Sequence, residues 1–347
     1  MPQPKPSTTA PAGERVNPIL VEATRGTLVE SSHRGAIAVV DASGNVTLKV
    51  GDIDRPVYAR SAIKPLQAIP LVESGAADAF KLGPEEIALA CASHNGEPQQ
   101  VERVRAWLKR VGLDQSDLEC GRHLPYHEAS LIALAKSGQD ADQCHNNCSG
   151  KHAGFLTLAR HKGWPTKGYI AYEHQVQQCI LGILEIFCGF ELGDAPRGID
   201  GCGIPQLGIP LGHLALAMAR LGDPQDMPDA RALACLRVGR AMAAHPYLVA
   251  GSGRFCTRAM EAAKGRAWIK TGAEGVFCAT LPEHKLGIAL KIDDGAGRAA
   301  EVVMAGLLAR FEVLGKTADG ADLVTPPVTN RVGKQVGEIR LAEGAPL

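Results

Sequence analysis

The stretch Ala59-Arg60-Ser61-Ala62-Ile63-Lys64-Pro65-Leu66-Gln67 organises the reading of this chain. It follows the β-prone run Pro56-Val57-Tyr58 and opens a helical pattern of Ile63, Leu66, Ile69 and Leu71. Pro65 is tolerated in a first turn, where its missing N–H has no partner to lose. Ser61 and Lys64 stand three apart, so on a helix they share a face. A serine hydroxyl is a weak nucleophile at neutral pH and needs an adjacent base. A lysine serves only where burial or neighbouring positive charge keeps it partly neutral. A helix N-terminus also favours developing negative charge. The spacing alone is cheap, because a solvated lysine near an N-terminal serine gives the same pattern by chance.

Two later stretches make it less cheap. Ala92-Ser93-His94-Asn95-Gly96-Glu97 carries S-H-N, and Ile269-Lys270-Thr271-Gly272 carries K-T-G. With S-x-x-K before them, the set resembles the S-x-x-K, S-D-N, K-T-G signature of serine β-lactamases and penicillin-binding proteins. The flanking pattern agrees: strands are expected over 267–271, 276–280 and 286–292, then a long helix over 298–314. Three triplets in the right order imply a site that transfers an acyl group through serine.

Length and composition bound the rest. The chain has 347 residues, enough for one large domain or two ordinary ones. Hydrophobic residues are 45% and charged residues 21%, a globular composition. Lys+Arg and Asp+Glu are both 37, so charge gives no case for nucleic acid or a membrane surface. Aromatics at 4% argue against a base-stacking platform. No apolar run reaches the roughly 18 residues of a membrane span. Residues 1–14 are rich in Pro, Thr and Ala without an apolar core, so they read as a disordered tail rather than a signal peptide. The expected location is cytoplasmic. Ten cysteines then read mostly as buried thiols, with metal binding or catalysis as the exceptions.

Along the chain, residues 16–24 suit a first strand. Residues 34–40 and 46–50, joined by Asp41-Ala42-Ser43-Gly44-Asn45, form a hairpin. Helices are expected over 84–90, 99–111, 129–137, 155–161, 176–187, 211–221 and 229–243, and an edge strand over 338–341. Strands at both ends with helices between them predict an α+β fold in a single catalytic domain over 15–347. An antiparallel sheet from both termini makes an α/β lobe (about 15–60 and 255–347). A mostly helical lobe (about 61–254) faces it across a cleft that holds the site.

A second polar cluster, Cys144-His145-Asn146-Asn147-Cys148-Ser149-Gly150-Lys151-His152-Ala153-Gly154, precedes a helix. Cys148 and Lys151 repeat the three-residue spacing of Ser61 and Lys64. Further on, Asp200-Gly201-Cys202-Gly203 sets a cysteine between glycines that allow close backbone approach. As thiolates, Cys148 and Cys202 suit zinc. Two cysteines are an incomplete set, and no C-x-x-C pair supplies more.

Taken together, Arg60-Ser61-Ala62-Ile63-Lys64-Pro65, Ser93-His94-Asn95-Gly96-Glu97, Cys148-Ser149-Gly150-Lys151-His152-Ala153, Asp200-Gly201-Cys202-Gly203 and His245-Pro246 resemble the bacterial asparaginase II family. This is the serine–lysine type, with a β-lactamase/penicillin-binding-protein-like fold. The resemblance runs from about Asn17 to about Leu314. It implies hydrolysis of L-asparagine to L-aspartate and ammonia in a homodimer. It implies Ser61 as nucleophile, Lys64 as its base, and Ser93 with Lys270 as a second Ser–Lys pair in a proton relay. It implies one zinc ion per chain on Cys148, Lys151 and Cys202, tuning substrate affinity rather than activating the nucleophile. Arg60, His94, Asn95, His152 and Asp200 are the candidates for gripping the charged α-groups of the substrate.

Three rival readings fit some of the same residues. A glutaminase differs by one methylene in its substrate. A β-lactam- or D-peptide-processing enzyme would share the fold, but S-H-N for S-D-N and the cysteine–lysine cluster argue against it. A non-catalytic zinc or redox sensor built on Cys148 and Cys202 would leave both Ser–Lys pairs unexplained.

Overall fold

A computed structural model describes residues 16–314 and 318–347; the tail expected over 1–14 lies outside the described residues. The strands are β1 (Ile19–Arg25), β2 (Leu28–Asp41), β3 (Val46–Val50), β4 (Pro56–Tyr58), β5 (Arg197–Ile199), β6 (Pro205–Pro210), β7 (Trp268–Thr271), β8 (Val276–Leu281), β9 (Leu286–Ile292), β10 (Pro327–Thr329) and β11 (Gln335–Leu341). The main sheet runs β10-β11-β1-β2-β9-β8-β7, with β3 also on β2. Its pairs are all antiparallel. It is therefore assembled from both ends of the chain, with the helical stretch between them, an α+β arrangement. A small sheet, β4-β6-β5, stands apart.

The sequence pattern shows where the sheet is covered. Val276 to Leu281 is buried at every position, and β9 at all but Lys291. Side chains alternate across a strand, so such a run is packed on both faces. The helices Leu211–Gly222 and Gly297–Arg310 provide the cover. Glycine sets the close approach of the first. A Cβ on Gly287 would lie 2.0 Å from the Ala215 carbonyl oxygen, so the helix backbone rests on β9 there. Thr280, opposite Gly287, donates to the Met218 carbonyl at 2.8 Å.

Between the two halves of the sheet the chain is mainly helical. The helices there include Pro84–Ala90, Pro98–Arg110, Glu128–Lys136, Ser149–Lys162, Gln175–Cys188 and Asp229–Ala244; Pro84–Ala90, Pro98–Arg110 and Ser149–Lys162 pack on one another, and the buried Trp107 indole N–H donates to Thr157 Oγ1 at 3.0 Å.

Several boundaries differ from the sequence reading for identifiable reasons. The helix expected after Ser61 is broken into a 3₁₀ turn, Arg60–Ile63, and short helices Lys64–Gln67 and Ile69–Glu73. Pro65 and Pro70 each open a new first turn, because proline cannot continue the hydrogen-bonded run before it. The helix expected over 155–161 begins at Ser149, hidden from periodicity because Ser149 to Ala159 is buried all round. The helix Phe255–Ala263, directly before the K-T-G strand, was not anticipated; nor was the β4-β6-β5 sheet, whose strands are mostly three residues long.

Candidate active site

The Ser61 turn is wedged against the K-T-G strand. A Cβ on Gly272 would fall 2.7 Å from the Ala59 carbonyl oxygen and 3.3 Å from Ala62 N, so only glycine lets β7 come this close. Arg60, one residue before Ser61, has φ +52°, a left-handed backbone that a long side chain adopts at a cost. Its N–H is held by Gln206 Oε1 at 3.1 Å. Ser93 is fixed from both sides: its own N–H donates to the Val249 carbonyl (2.9 Å), and His94 N–H donates to the Asn147 carbonyl (3.1 Å).

Three lysines are buried here: Lys64, Lys151 and Lys270. Lys64 Nζ donates to Ser93 Oγ (3.0 Å), to the Ala92 carbonyl and to Cys148 Sγ (3.1 Å). Lys270 Nζ donates to Ser93 Oγ (2.9 Å) and to the Thr271 carbonyl (2.7 Å). Ser93 is thus shared by two lysines. Burial, reinforced by the Lys64 charge, brings Lys270 down to about 7. A lysine in that range exists partly as the free amine at neutral pH, the form that accepts a proton.

Ser61 and Ser93 open together into a cleft of about 570 Å³, walled also by Asn95, Tyr126, Asn147, Arg254 and Thr271. The sequence reading set the Lys64 amine beside the Ser61 hydroxyl. The structure directs it past Ser61 to Ser93, and among the described residues nothing hydrogen-bonds the Ser61 hydroxyl. Ser61 and Lys64 nevertheless sit one 3₁₀ turn apart, where residues i and i+3 eclipse.

The expected substrate-gripping residues divide. Asn95 lines the cleft. His94 does not: Gly96 N–H donates to its Nδ1 (3.0 Å), so Nε2 carries the proton and donates to Ser149 Oγ (2.8 Å). With both ring nitrogens spent and no exposure, it braces the loop from inside. Burial and the Lys64 charge hold it neutral, at about 3. His152 is equally buried. Its Nδ1 takes the Tyr169 hydroxyl proton (2.7 Å) while that oxygen accepts from Glu119 N–H (2.8 Å). Burial and then Lys151 push His152 well below the usual histidine range. Arg60 turns away from Ser61 into a neighbouring cavity of about 230 Å³, where its Nη2 meets Asp200 Oδ1 at 2.7 Å. Burial opposes charge on Asp200, but Lys151 and Arg60 outweigh it and lower the carboxyl.

The expected zinc ligands come together. Lys151 Nζ lies 3.0 Å from Cys202 Sγ, and the Cys148 and Cys202 thiols hydrogen-bond each other. The shared proton leaves Cys148 as the thiolate, well below the usual thiol range, and pushes Cys202 up. Two sulfurs and an amine suit a tetrahedral zinc with one open position. Among the described residues no group of three His, Cys, Asp or Glu side chains is placed to hold a metal, so a metal here depends on the lysine as third ligand. The donor set therefore fits the ion. Cys148 Sγ also accepts from Lys64, placing the cluster one hydrogen bond from the Ser93 lysines.

A serine shared by two buried lysines thus faces a cleft on an α+β sheet built from both termini. The chain belongs to the L-asparaginase II family, whose model matches residues 21–341. No curated protein matches it. Among solved structures it is similar to Mglu in its native form, at 14% identity over 88% of this chain and 70% of that one, TM-score 0.49. It is similar to a beta-lactamase from Mycobacterium bovis, at 15% identity over 80% and 94%, TM-score 0.38. A third is unliganded simvastatin synthase (LovD) from Aspergillus terreus, at 12% identity over 81% and 92%, TM-score 0.38. Among the described residues no helix is long and apolar enough to cross a membrane.

Proposed function

We propose that this chain is an L-asparagine amidohydrolase working through an aspartyl ester on Ser61. The observation that carries the reading is Ser93 Oγ held between Lys64 Nζ and Lys270 Nζ, at the floor of the cleft that Ser61 lines. Family membership supplies the reaction class, hydrolysis of a small amide.

In the forward half, Ser61 Oγ attacks the side-chain amide carbon. Its proton enters the Lys64–Ser93–Lys270 network, which returns a proton to the leaving ammonia. Water then hydrolyses the ester by the reverse route. Each positioned proton transfer is worth ~10²–10⁴-fold. First-turn N–H groups have no intrahelical acceptor, so the Ser61 backbone N–H is available to the oxyanion. Cys148, Lys151 and Cys202 would hold zinc, which when bound supplies local positive charge that tunes substrate affinity.

Ser93 as nucleophile is the second reading, favoured by its two lysine contacts. The test is ammonia release from L-asparagine and L-glutamine by wild type, Ser61→Ala and Ser93→Ala. Mass spectrometry of quenched turnover then locates the ester. An ester on Ser61, with turnover lost in Ser61→Ala, upholds the proposal; an ester on Ser93 replaces the nucleophile. Faster glutamine release makes the enzyme a glutaminase, a choice that one methylene of pocket space moves by only ~10–200-fold.

A further inference from the structure

We propose that Arg254 binds the α-carboxylate of the substrate, on a loop that Asn95 and Glu97 lock in place; this rests on the amidohydrolase reading above. Hydrolysis at a side-chain amide leaves an amino acid's α-carboxylate to be recognised elsewhere in the cleft. Among the described residues lining that cleft, Arg254 bears the one permanent positive charge. Lys64 and Lys270 are spent on Ser93 and backbone, and Arg60 is paired with Asp200 beside a different cavity. Arg254 makes no ion pair with any described residue. Its Nη1 donates to Asn95 Oδ1 at 3.0 Å, and its guanidinium stands 6.0 Å from the Tyr126 ring centre. The remaining donors of the fork match a carboxylate's two oxygens.

The loop that carries Arg254 is built rather than slack. Gly251 at φ +112° and Gly253 at φ +70° let it turn, and a Cβ on Gly251 would strike Asn95 Nδ2 at 2.5 Å. Buried Glu97 accepts from Ser252 N–H (2.7 Å) and Ser252 Oγ–H (2.8 Å). Asn95 Nδ2 donates to Glu97 Oε1 (3.1 Å) and to the Ser252 carbonyl (3.2 Å). Asn95 thus faces Arg254 with its oxygen and the clamp with its amide nitrogen. The run Ser93-His94-Asn95-Gly96-Glu97 thereby links the Ser93 centre to the anion-binding arm: one residue takes part in chemistry and two hold the arm.

The test compares wild type, Arg254→Gln and Arg254→Lys on L-asparagine and on L-aspartic acid diamide, which has the same scissile amide but no α-carboxylate. Expected for Arg254→Gln is a rise in KM for L-asparagine of about ten- to hundredfold, the worth of hydrogen bonds to a charged group. The diamide KM should be unchanged, and Arg254→Lys should recover part of the loss. An equal change on both substrates would mean a structural role, and no change on either would leave Arg254 idle; both overturn the inference. If wild type hydrolyses neither amide, the amidohydrolase reading fails instead. Calorimetric titration with L-aspartate then decides the inference alone: weaker binding to Arg254→Gln upholds it, and equal or absent binding in both proteins overturns it.

Discussion

Lys270→Met should cost activity while increasing stability near neutral pH. Burial, with the Lys64 charge behind it, brings Lys270 from the ordinary 10.5 to about 7. The charged form is therefore disfavoured in the folded state. Between about pH 7 and 10.5 the unfolded chain holds a proton that the folded chain has released, so wild-type stability rises with pH across that window. Below about 7 both states are protonated and the cost of burying the charge is fully present. A tenfold change in proton affinity is worth about 1.4 kcal/mol, so this cost is about 5 kcal/mol. Methionine fills the space without the charge; Ser93 keeps its Lys64 partner, so the Thr271 carbonyl is left short of one, at about 1–3 kcal/mol. The net expectation at pH 6 is a variant more stable by about 2–4 kcal/mol, with the gain gone by about pH 9.5. Denaturant unfolding at the two pH values measures it. The same variant should lose ~10²–10⁴ in kcat. It should also lose the limb of the wild-type pH–rate profile that rises through about 7. A stability difference that stays flat with pH, or a limb that survives the substitution, would refute the placing of a neutral lysine at Ser93.

Gly272→Ala should leave the chain folded but cut kcat by ~10²-fold, the cost of a displacement near 1 Å at a reacting group. Its Cβ would press the Ala59 carbonyl and Ala62 N on either side of Ser61; steady-state kinetics beside a thermal melt checks this. His94→Leu should leave KM unaltered and lower stability at pH 7 by about 1–3 kcal/mol, since it strands the Gly96 N–H. Because His94 is held down to about 3, wild-type stability should fall as pH drops from 6.5 towards 3, and the variant should lose less over that range. Zinc binding should release about two protons per ion at pH 7, one from Cys202 and one from Lys151. Burial works against charge on Lys151, but the two neighbouring sulfurs raise it, so it meets the metal as an ammonium. Calorimetry in buffers of different ionisation enthalpy counts the protons, and a count near one would exclude Lys151 as a ligand. Chelation should raise KM for L-asparagine more than it lowers kcat.

What the sequence could and could not show follows from the range over which each signal acts. The sheet strands were legible because β8 and β9 are continuous apolar runs, and the triplets because S-x-x-K and K-T-G are local patterns. The company that each side chain keeps was not legible. Lys64 reads as the neighbour of Ser61 because spacing is all that a sequence supplies, yet a four-carbon stem carries its amine to Ser93, 29 residues on. His94 reads as a ligand-gripping group because it lies between Ser93 and Asn95. Only the fold shows both of its nitrogens occupied by Gly96 and Ser149. Arg254 reads as a loop residue, since its helix begins one position later and its anchor, Asn95, is 159 residues away. The same distance gives the site its logic. The stretch 93–97 pairs with Lys64 on one side, Lys270 on another and the Ser252 loop on a third. Three segments far apart in the chain are thereby fixed to one five-residue run. Within that run, a substitution at Ser93 should move the proton network and one at Asn95 or Glu97 the anion-binding arm, whereas one in the Cys148–Lys151–Cys202 cluster should reach the serines only through the single contact from Cys148 to Lys64.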